Sequence, residues 1–577
     1  MVQQRGGGGG DGAVLLLAAA VASLSAVAVS WAIMGRSGRR RPRLYLGLDL
    51  STQGLAAIVV DEQFKVVCEK AVSFDDDLPS YGTTSGCVRQ PGGVVVAPTL
   101  MFVEAVDRLL DDLAASVRLA DIVAVSGCGQ QHGSVYWARG ASTLLANLDP
   151  GRTLRDQLVD AFAIADGPIW MDSSTAVLCR RLEDALGGPQ ALADVSGSRA
   201  YERFTGNQIA KIIQDSPVAY DRCERISLIS SMLASLLLGR YAPIDQSDAS
   251  GMNCMDIRSR RWSPALLQSI AGQSGCQRLE QLLGKEQPVA PHAVLGTVSS
   301  YFVQRHGFSR SCRVIPFTGD NPSTVAGLGL SEAGDVIVSL GTSDTVLAVV
   351  PALDCKPSGT EGHILTNPCN PASNLAMLCF KNGSLAREDV RNRCAGGSWE
   401  TFSKCLRQTA PGNSGYTGFF YLQPEITPTV RDTGIYGFNS AGLVVDFADL
   451  PAEVEIRAIV EGQCMSMLYH SQLLGVRHRR VIATGGASSN AEILTVLSNV
   501  FNAPVYTATV GTNTAAFGGA VRAYHGLQCE SAGTYVKYPD VASIELRASP
   551  EPSAAAKYRA MMALFPDLES QVVQALT

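Results

Sequence analysis

Two stretches of this chain about 290 residues apart are built to one pattern, and that repetition restricts its fold more than any other feature. In the first, residues 44–50 are largely apolar, Ser51, Thr52, Gln53 and Gly54 follow as a polar turn, and residues 55–60 are apolar again, which predicts strand, tight turn, strand. In the second, residues 335–340, then Gly341, Thr342, Ser343 and Asp344, then residues 345–350 give the same layout. Short-period repeats build solenoids, but a single recurrence at this distance divides the body of the chain near Leu330 into two related lobes, residues 44–330 and 331–577.

Strands alternate with helix-like stretches in both halves, which argues for α/β architecture. Residues 99–115 read as a helix that turns Leu100, Val103, Leu109 and Leu110 inward, and residues 122–126 and 314–317 read as strands. Toward the C-terminus a strand at 480–484 runs through Gly485 and Gly486 into a helix at 490–501, with Ile493, Leu494, Leu497 and Val500 on one face. With 577 residues, 46% of them hydrophobic and 17% charged, the chain buries sizeable cores, and disorder over most of its length is excluded. Two such lobes leave a cleft between them, a favoured place for ligands.

Residues 1–43 carry six arginines against one acid, Asp11, so this segment holds +5 and the rest of the chain −11 of a net −6. Nothing in that balance recommends nucleic acid as a partner. Residues 13–34 contain no charge; as a helix they would be about 33 Å long and would span a bilayer core of about 30 Å. The arginines lie after this stretch, which as an anchor places the body of the chain on the cytosolic side. An organelle-targeting segment and an unstructured extension are the alternatives. Fifteen cysteines spread from Cys68 to Cys529 without a C-x-x-C pair, beside only seven histidines, argue against structural zinc and for reduced, core-filling thiols.

Several loops carry groups suited to chemistry. The two hairpin turns offer backbone N–H groups and hydroxyls to phosphate oxygens, from Ser51 and Thr52 in one and Gly341, Thr342 and Ser343 in the other, although either alone is also an ordinary hairpin. Asp49, at a strand end, either holds a hydrated Mg²⁺ or caps its turn. Asp320 ends an apolar strand just before a small-residue helix; it is either an N-cap or a general base for phosphoryl transfer to a hydroxyl. Gln130, Gln131 and His132 follow another strand and would suit a polyhydroxylated ligand. Arg199, Tyr201, Arg203 and Phe204 form a cationic and aromatic loop or a solvated one, and Gly485-Gly486 through Asn490 lets a ligand approach the backbone closely. Neither G-x-G-x-x-G nor a P-loop sequence occurs.

These words resemble the FGGY carbohydrate kinases, and among them the eukaryotic type of xylulose kinase. The resemblance rests on Gly47 to Gln53, Ser126 to Trp137, Ile169 to Thr175, Gly197 to Asn207, Thr318 to Pro322, Ser339 to Asp344, Cys379 to Ser384 and Ala483 to Ser488, in family order. It implies a pair of ribonuclease-H-like lobes of the actin and hexokinase type, with ATP and sugar meeting in the cleft. It implies ATP-dependent phosphorylation of D-xylulose, with Asp320 as catalytic base, Asn321, Gln131, His132 and Arg203 at the sugar, and Asp49 at Mg²⁺. It also implies Trp399 beside the adenosine, with Gly485, Gly486 and Asn490 in the nucleotide loop. The same machinery would serve another ketose or polyol, whereas loss of Asp49 or Asp320 would have marked an inactive binding protein; both are present. Many bacterial relatives carry Arg two residues after the Asp of the W-x-D word, but Asp172 is followed here by Ser173 and Ser174, as in the eukaryotic variant, and Gly54 stands where a larger polar residue is usual. Residues 248–262 also match the family and read as framework. Residues 1–43 have no counterpart.

Overall fold

Both hairpins form where the alternation places them. In the computed structural model, which describes residues 42–508, 513–541 and 544–577, β1 (Leu44–Leu50) and β2 (Gly54–Val60) pair antiparallel, Leu50 opposite Leu55, around a turn closed by the Ser51 N–H on the Gly54 carbonyl. Strand β3 (Val66–Ser73) continues the meander. Helix α1 (Thr99–Ala114) then leads to β4 (Ile122–Gly129), which pairs parallel with β1 on the side away from β2. The buried face of α1 is Met101, Phe102, Val103, Val106, Leu109, Leu110 and Leu113; Leu100, expected inward, is only half-buried because the helix turns its neighbour Met101 to the sheet. Much later come β5 (Gly296–Thr297), β6 (Arg313–Val314) and β7 (Thr318–Gly319), the last two both parallel to β4. The strand expected at 314–317 is thus divided, with residues 315–317 bridging its two short pieces.

Helix α2 (Asp320–Gly327) separates this sheet from its repeat. There β8 (Asp335–Leu340) and β9 (Asp344–Pro351) form the second hairpin, and β10 (His363–Thr366) and β11 (Ser373–Phe380) extend it. After helices α3 (Trp399–Gln408) and α4 (Ala452–Leu473), β12 (Arg480–Thr484) pairs parallel with β8. Helix α5 (Ala491–Phe501), β13 (Val505–Ala508), helix α6 (Thr514–Ala532), β14 (Ile544–Ala548) and helix α7 (Phe565–Leu576) complete the chain. The first sheet runs β5-β6-β4-β1-β2-β3 and the second β10-β11-β9-β8-β12-β13-β14, so each contains an antiparallel meander flanked by parallel strands in one common order. This is the repeated α/β lobe that the sequence pattern implies.

One apolar cluster joins the two sheets. Helix α6, from the second half of the chain, crosses the first sheet so closely that only glycine fits at the crossing. A Cβ on Gly47 would stand 1.8 Å from the Ala516 carbonyl oxygen, and one on Gly519 would stand 2.8 Å from the Gly127 Cα. Around that crossing Tyr45, Ile58 and Ala124 of the first sheet join Ile337, Leu347 and Ile482 of the second through Val325 and Phe517. The region 44–577 accordingly clusters as one unit.

The apolar stretch 13–34, on which the anchor and targeting readings rest, lies outside the described residues. Among the described residues no helix is long and apolar enough to cross a membrane. All fifteen cysteines are free.

Candidate active site

The acids gather at one edge of the first sheet. Asp49 of β1 lies beside Cys128 of β4, and Cys128 beside Thr318 of β7, so Asp49 and Asp320 flank the C-terminal end of β4, where parallel α/β sheets take their ligands. Asp49 is buried; its carboxylate accepts from Cys128 Sγ at 3.2 Å and from Asn513 Nδ2 at 2.9 Å, and burial raises its pKa. Asn513 also caps α6, its Oδ1 accepting from the Ala516 N–H at 2.8 Å, so the closely packed helix is tied to this carboxylate. Asp320 is the first residue of α2 and not its N-cap, which is Gly319. Its Oδ1 accepts from the backbone N–H of Asn321 at 2.9 Å and from Asn321 Nδ2 at 3.2 Å. Burial, and then the charge of Asp49, pushes its pKa up to about 7, the range a general base needs near neutral pH.

Beside Asp320 is a polar pocket wall. Gln131 Oε1 accepts from Asn321 Nδ2 at 3.1 Å, while Gln131 Nε2 and both side-chain amide atoms of Gln130 are buried with no partner among the described residues. His132 holds φ +71°, a left-handed conformation uncommon outside glycine, and its ring stacks on Phe204 with centroids 4.6 Å apart. Its Nδ1–H donates to the Gly251 carbonyl at 2.8 Å; burial, then Arg203, pushes its pKa down to about 3, so the imidazole is neutral and its Nε2 is an acceptor. Arg203 lies over the Tyr201 ring at 4.9 Å. Arg199 is apart from this group, paired with Glu183 at 3.2 Å.

The second hairpin opens on a cavity of about 770 Å³. Gly341 and Thr342 of the turn, Trp399 of α3, and Gly486 and Asn490 before α5 all line it. Asn490 caps α5, its Oδ1 accepting from the N–H groups of Glu492 at 3.1 Å and Ile493 at 3.2 Å. Gly485 stands behind the cavity wall at φ +80°; a Cβ there would meet the Leu340 carbonyl oxygen at 2.6 Å. Ser343 is exposed and does not line the cavity. In the first turn Ser51 Oγ donates to the Gly54 carbonyl at 3.1 Å, and Thr52 Oγ1 accepts from Trp170 Nε1 at 2.9 Å.

Several contributors escape sequence reading. Asp344, in the second turn, is buried in a two-pronged pair with Arg387 at 2.6 and 2.9 Å, an anchor for the turn and not a free carboxylate. Asp172 accepts from Lys211 Nζ at 3.3 Å, a cation 39 residues downstream of it. Asp248, read as framework, is fully buried and faces the first sheet: a Cβ on Gly319 would stand 2.9 Å from its Oδ1. Gly54 is required where it stands, because a Cβ would meet the Val72 carbonyl oxygen at 2.4 Å.

Two carboxyls at a strand edge, a wall of hydrogen-bonding side chains and a separate large cavity beside a glycine turn fit transfer of a group from a nucleotide to a hydroxyl. The N-terminal domain of the FGGY family of carbohydrate kinases matches residues 163–327, and its C-terminal domain matches residues 336–527. Mouse xylulose kinase is 46% identical over 555 residues, 94% of this chain and 96% of the relative. The chain belongs to the FGGY family of carbohydrate kinases. Xylulose kinase 2 of Arabidopsis thaliana is likewise 46% identical to this kinase, over 507 residues, 85% of this chain and 89% of the relative. Among solved structures, the xylulose kinase of Bifidobacterium adolescentis superposes with a TM-score of 0.71 at 20% identity, covering 90% of this kinase and 99% of that chain. Plasmodium falciparum glycerol kinase with ADP superposes at 0.67 and 14% identity, covering 93% and 98%. These two likenesses establish the fold, a two-lobed sugar kinase.

Among the described residues no group of three or more side chains could hold a metal ion by itself. Mg²⁺ takes one or two carboxylates and completes its shell with waters and phosphates, and the buried carboxylate of Asp49 at the strand edge fits that habit.

Proposed function

We propose that this kinase transfers the γ-phosphoryl group of ATP to D-xylulose, giving ADP and D-xylulose 5-phosphate. The observation that carries this reading is the 46% identity with xylulose kinases of mouse and Arabidopsis along nearly the whole chain. In it, Asp320 accepts the proton of the attacking hydroxyl, and its pKa near 7 keeps enough of it ionised to do so. Asn321, hydrogen-bonded to both Asp320 and Gln131, orients the acceptor sugar, and His132 and Arg203 bind its other oxygens. The cavity between Trp399, Gly486 and Asn490 takes the adenosine, with Gly485 shaping the loop. The hydroxyls and N–H groups of Ser51, Thr52, Gly341, Thr342 and Ser343 meet the phosphates. Mg²⁺ held by Asp49 and the phosphates would neutralise charge on the donor. Positioning and electrostatics then carry most of the rate.

A coupled ADP-release assay over xylulose, ribulose, glycerol and related sugars tests the assignment. Xylulose is expected to give the highest kcat/KM, and a clear preference for another ketose or polyol would displace it while leaving the transfer chemistry in place.

A further inference from the structure

The sugar-side wall is completed by a residue from the second lobe. Arg203 is half-buried, and its hydrogen bond among the described residues runs from Nη2 to His363 Nε2, 2.8 Å away and 160 positions along the chain. His363 opens β10, a strand of the second sheet, yet its ring packs edge-on against Tyr201 at 4.5 Å and lies tilted against Phe204 at 5.2 Å, both of the first lobe. The strand is fastened there: the Ile364 N–H donates to the Gly197 carbonyl at 2.8 Å, and the Thr366 N–H donates to Ser250 Oγ at 3.1 Å.

The chemistry of the pair is specific. A guanidinium has five donors in one plane, and a carboxylate facing it would engage two of them in parallel. A neutral imidazole accepts only one, and it leaves the positive charge of Arg203 uncompensated toward the pocket. Burial, and then the charge of Arg203, holds His363 well below the usual imidazole range, so Nε2 keeps its lone pair and Nδ1 carries the proton. Among the described residues Nδ1 is buried without a partner, and Arg203 alone fixes the ring by hydrogen bonding. With the guanidinium lying over Tyr201 at 4.9 Å and Phe204 at 5.8 Å, one accepted N–H suffices to set its plane.

We propose that His363 is a positioning residue for the sugar: by accepting one N–H of Arg203 it aims the remaining donors at the ketose and makes sugar affinity depend on the second lobe. This rests on the assignment of Arg203 to the sugar made above. Because Arg203 would contact bound sugar in ground and transition states alike, the effect falls on KM more than on kcat.

The test is steady-state kinetics on the full chain with His363→Leu, which removes the acceptor, His363→Gln, which restores one through its amide oxygen, and Arg203→Gln. For His363→Leu the ketose KM is expected to rise about ten- to hundredfold, with kcat and ATP KM within about twofold, and His363→Gln is expected to recover most of the loss. A ketose KM within about threefold of the unmodified kinase, an equal rise in ATP KM, or no recovery with Gln overturns the proposal. If Arg203→Gln itself leaves the ketose KM unchanged, the assignment of Arg203 to the sugar falls; if Arg203→Gln raises it and His363→Leu does not, only the role of His363 falls. Should the leucine variant not fold, His363→Ala is judged by the same thresholds.

Discussion

A buried imidazole in the second lobe makes this kinase's stability fall as the solution becomes alkaline. His470 of α4 sits between two acids, Nδ1 hydrogen-bonded to Glu361 at 2.8 Å and Nε2 in an ion pair with Glu569 on α7 at 2.9 Å. Burial pulls the imidazolium down, but the two carboxylates outweigh it and raise His470 from 6.5 to about 9. A group whose folded pKa exceeds its unfolded one contributes its full stabilisation below the unfolded pKa and loses it as pH rises through the folded one. The contribution is therefore whole below about pH 6.5 and gone above about pH 9, and a shift of that size corresponds to roughly 3 kcal/mol. In a body of this size each kcal/mol moves the midpoint by about 1 °C, so Tm should fall by roughly 3 °C across that window from this group alone. Other groups titrate too, so the assay compares thermal melts with those of His470→Gln at both ends of the window. The variant leaves Glu361 and Glu569 facing each other without a cation, costing about 3–5 kcal/mol near neutral pH. The gap between the two proteins should shrink toward alkaline pH; a gap of constant size at both ends would refute the reasoning.

Three further outcomes follow from the site. Asp320→Asn should leave ATP binding measurable while lowering kcat by at least about two orders of magnitude, and near-normal turnover would remove Asp320 as the base. Since the base acts only when ionised, kcat/KM of the unmodified kinase should decline below about pH 7, and a flat profile down to pH 5 would contradict a raised Asp320. Gly485→Ala puts a methyl group 2.6 Å from the Leu340 carbonyl oxygen at φ +80°, so ATP KM should rise about tenfold with ketose KM unchanged; an equal change in both would place the glycine elsewhere in the mechanism. For the N-terminal segment, an anchor at residues 13–34 would make the full chain pellet with membranes where a chain starting at Leu44 does not, and identical behaviour of the two would defeat the anchor reading.

The parts of the molecule legible in the sequence are those governed by local rules. The hairpins are written in alternation and turn chemistry, and the helix expected at 490–501 in its amphipathic face, so each appears within a residue or two of its expected bounds. The pieces that escaped are pairings made at long range. Nothing around His363 announces Arg203, because the contact depends on β10 crossing to the other lobe. Lys211 meets Asp172 from 39 positions away, and Asn513 meets Asp49 from the opposite end of the chain. The division of the strand at 314–317, by contrast, has a local signal: Pro316, which has no N–H to give a ladder, lies in the gap.

The glycine crossing of α6 over the first sheet bears on how the protein is made. The ribosome finishes β1 and β4 long before it reaches residue 514, yet Phe517, Ala520 and Val521 are what cover Tyr45, Ile58 and Ala124. Until then the nascent first lobe carries an uncovered apolar face, the kind of surface that chaperones hold and that aggregates when left bare. Domain order along the chain is thus not folding order: the first lobe is the earliest synthesised and cannot be completed until one of the last helices is delivered. A protein cut near Leu330 would yield two fragments that each lack part of a shared floor, so function would return only on reassociation of the pair.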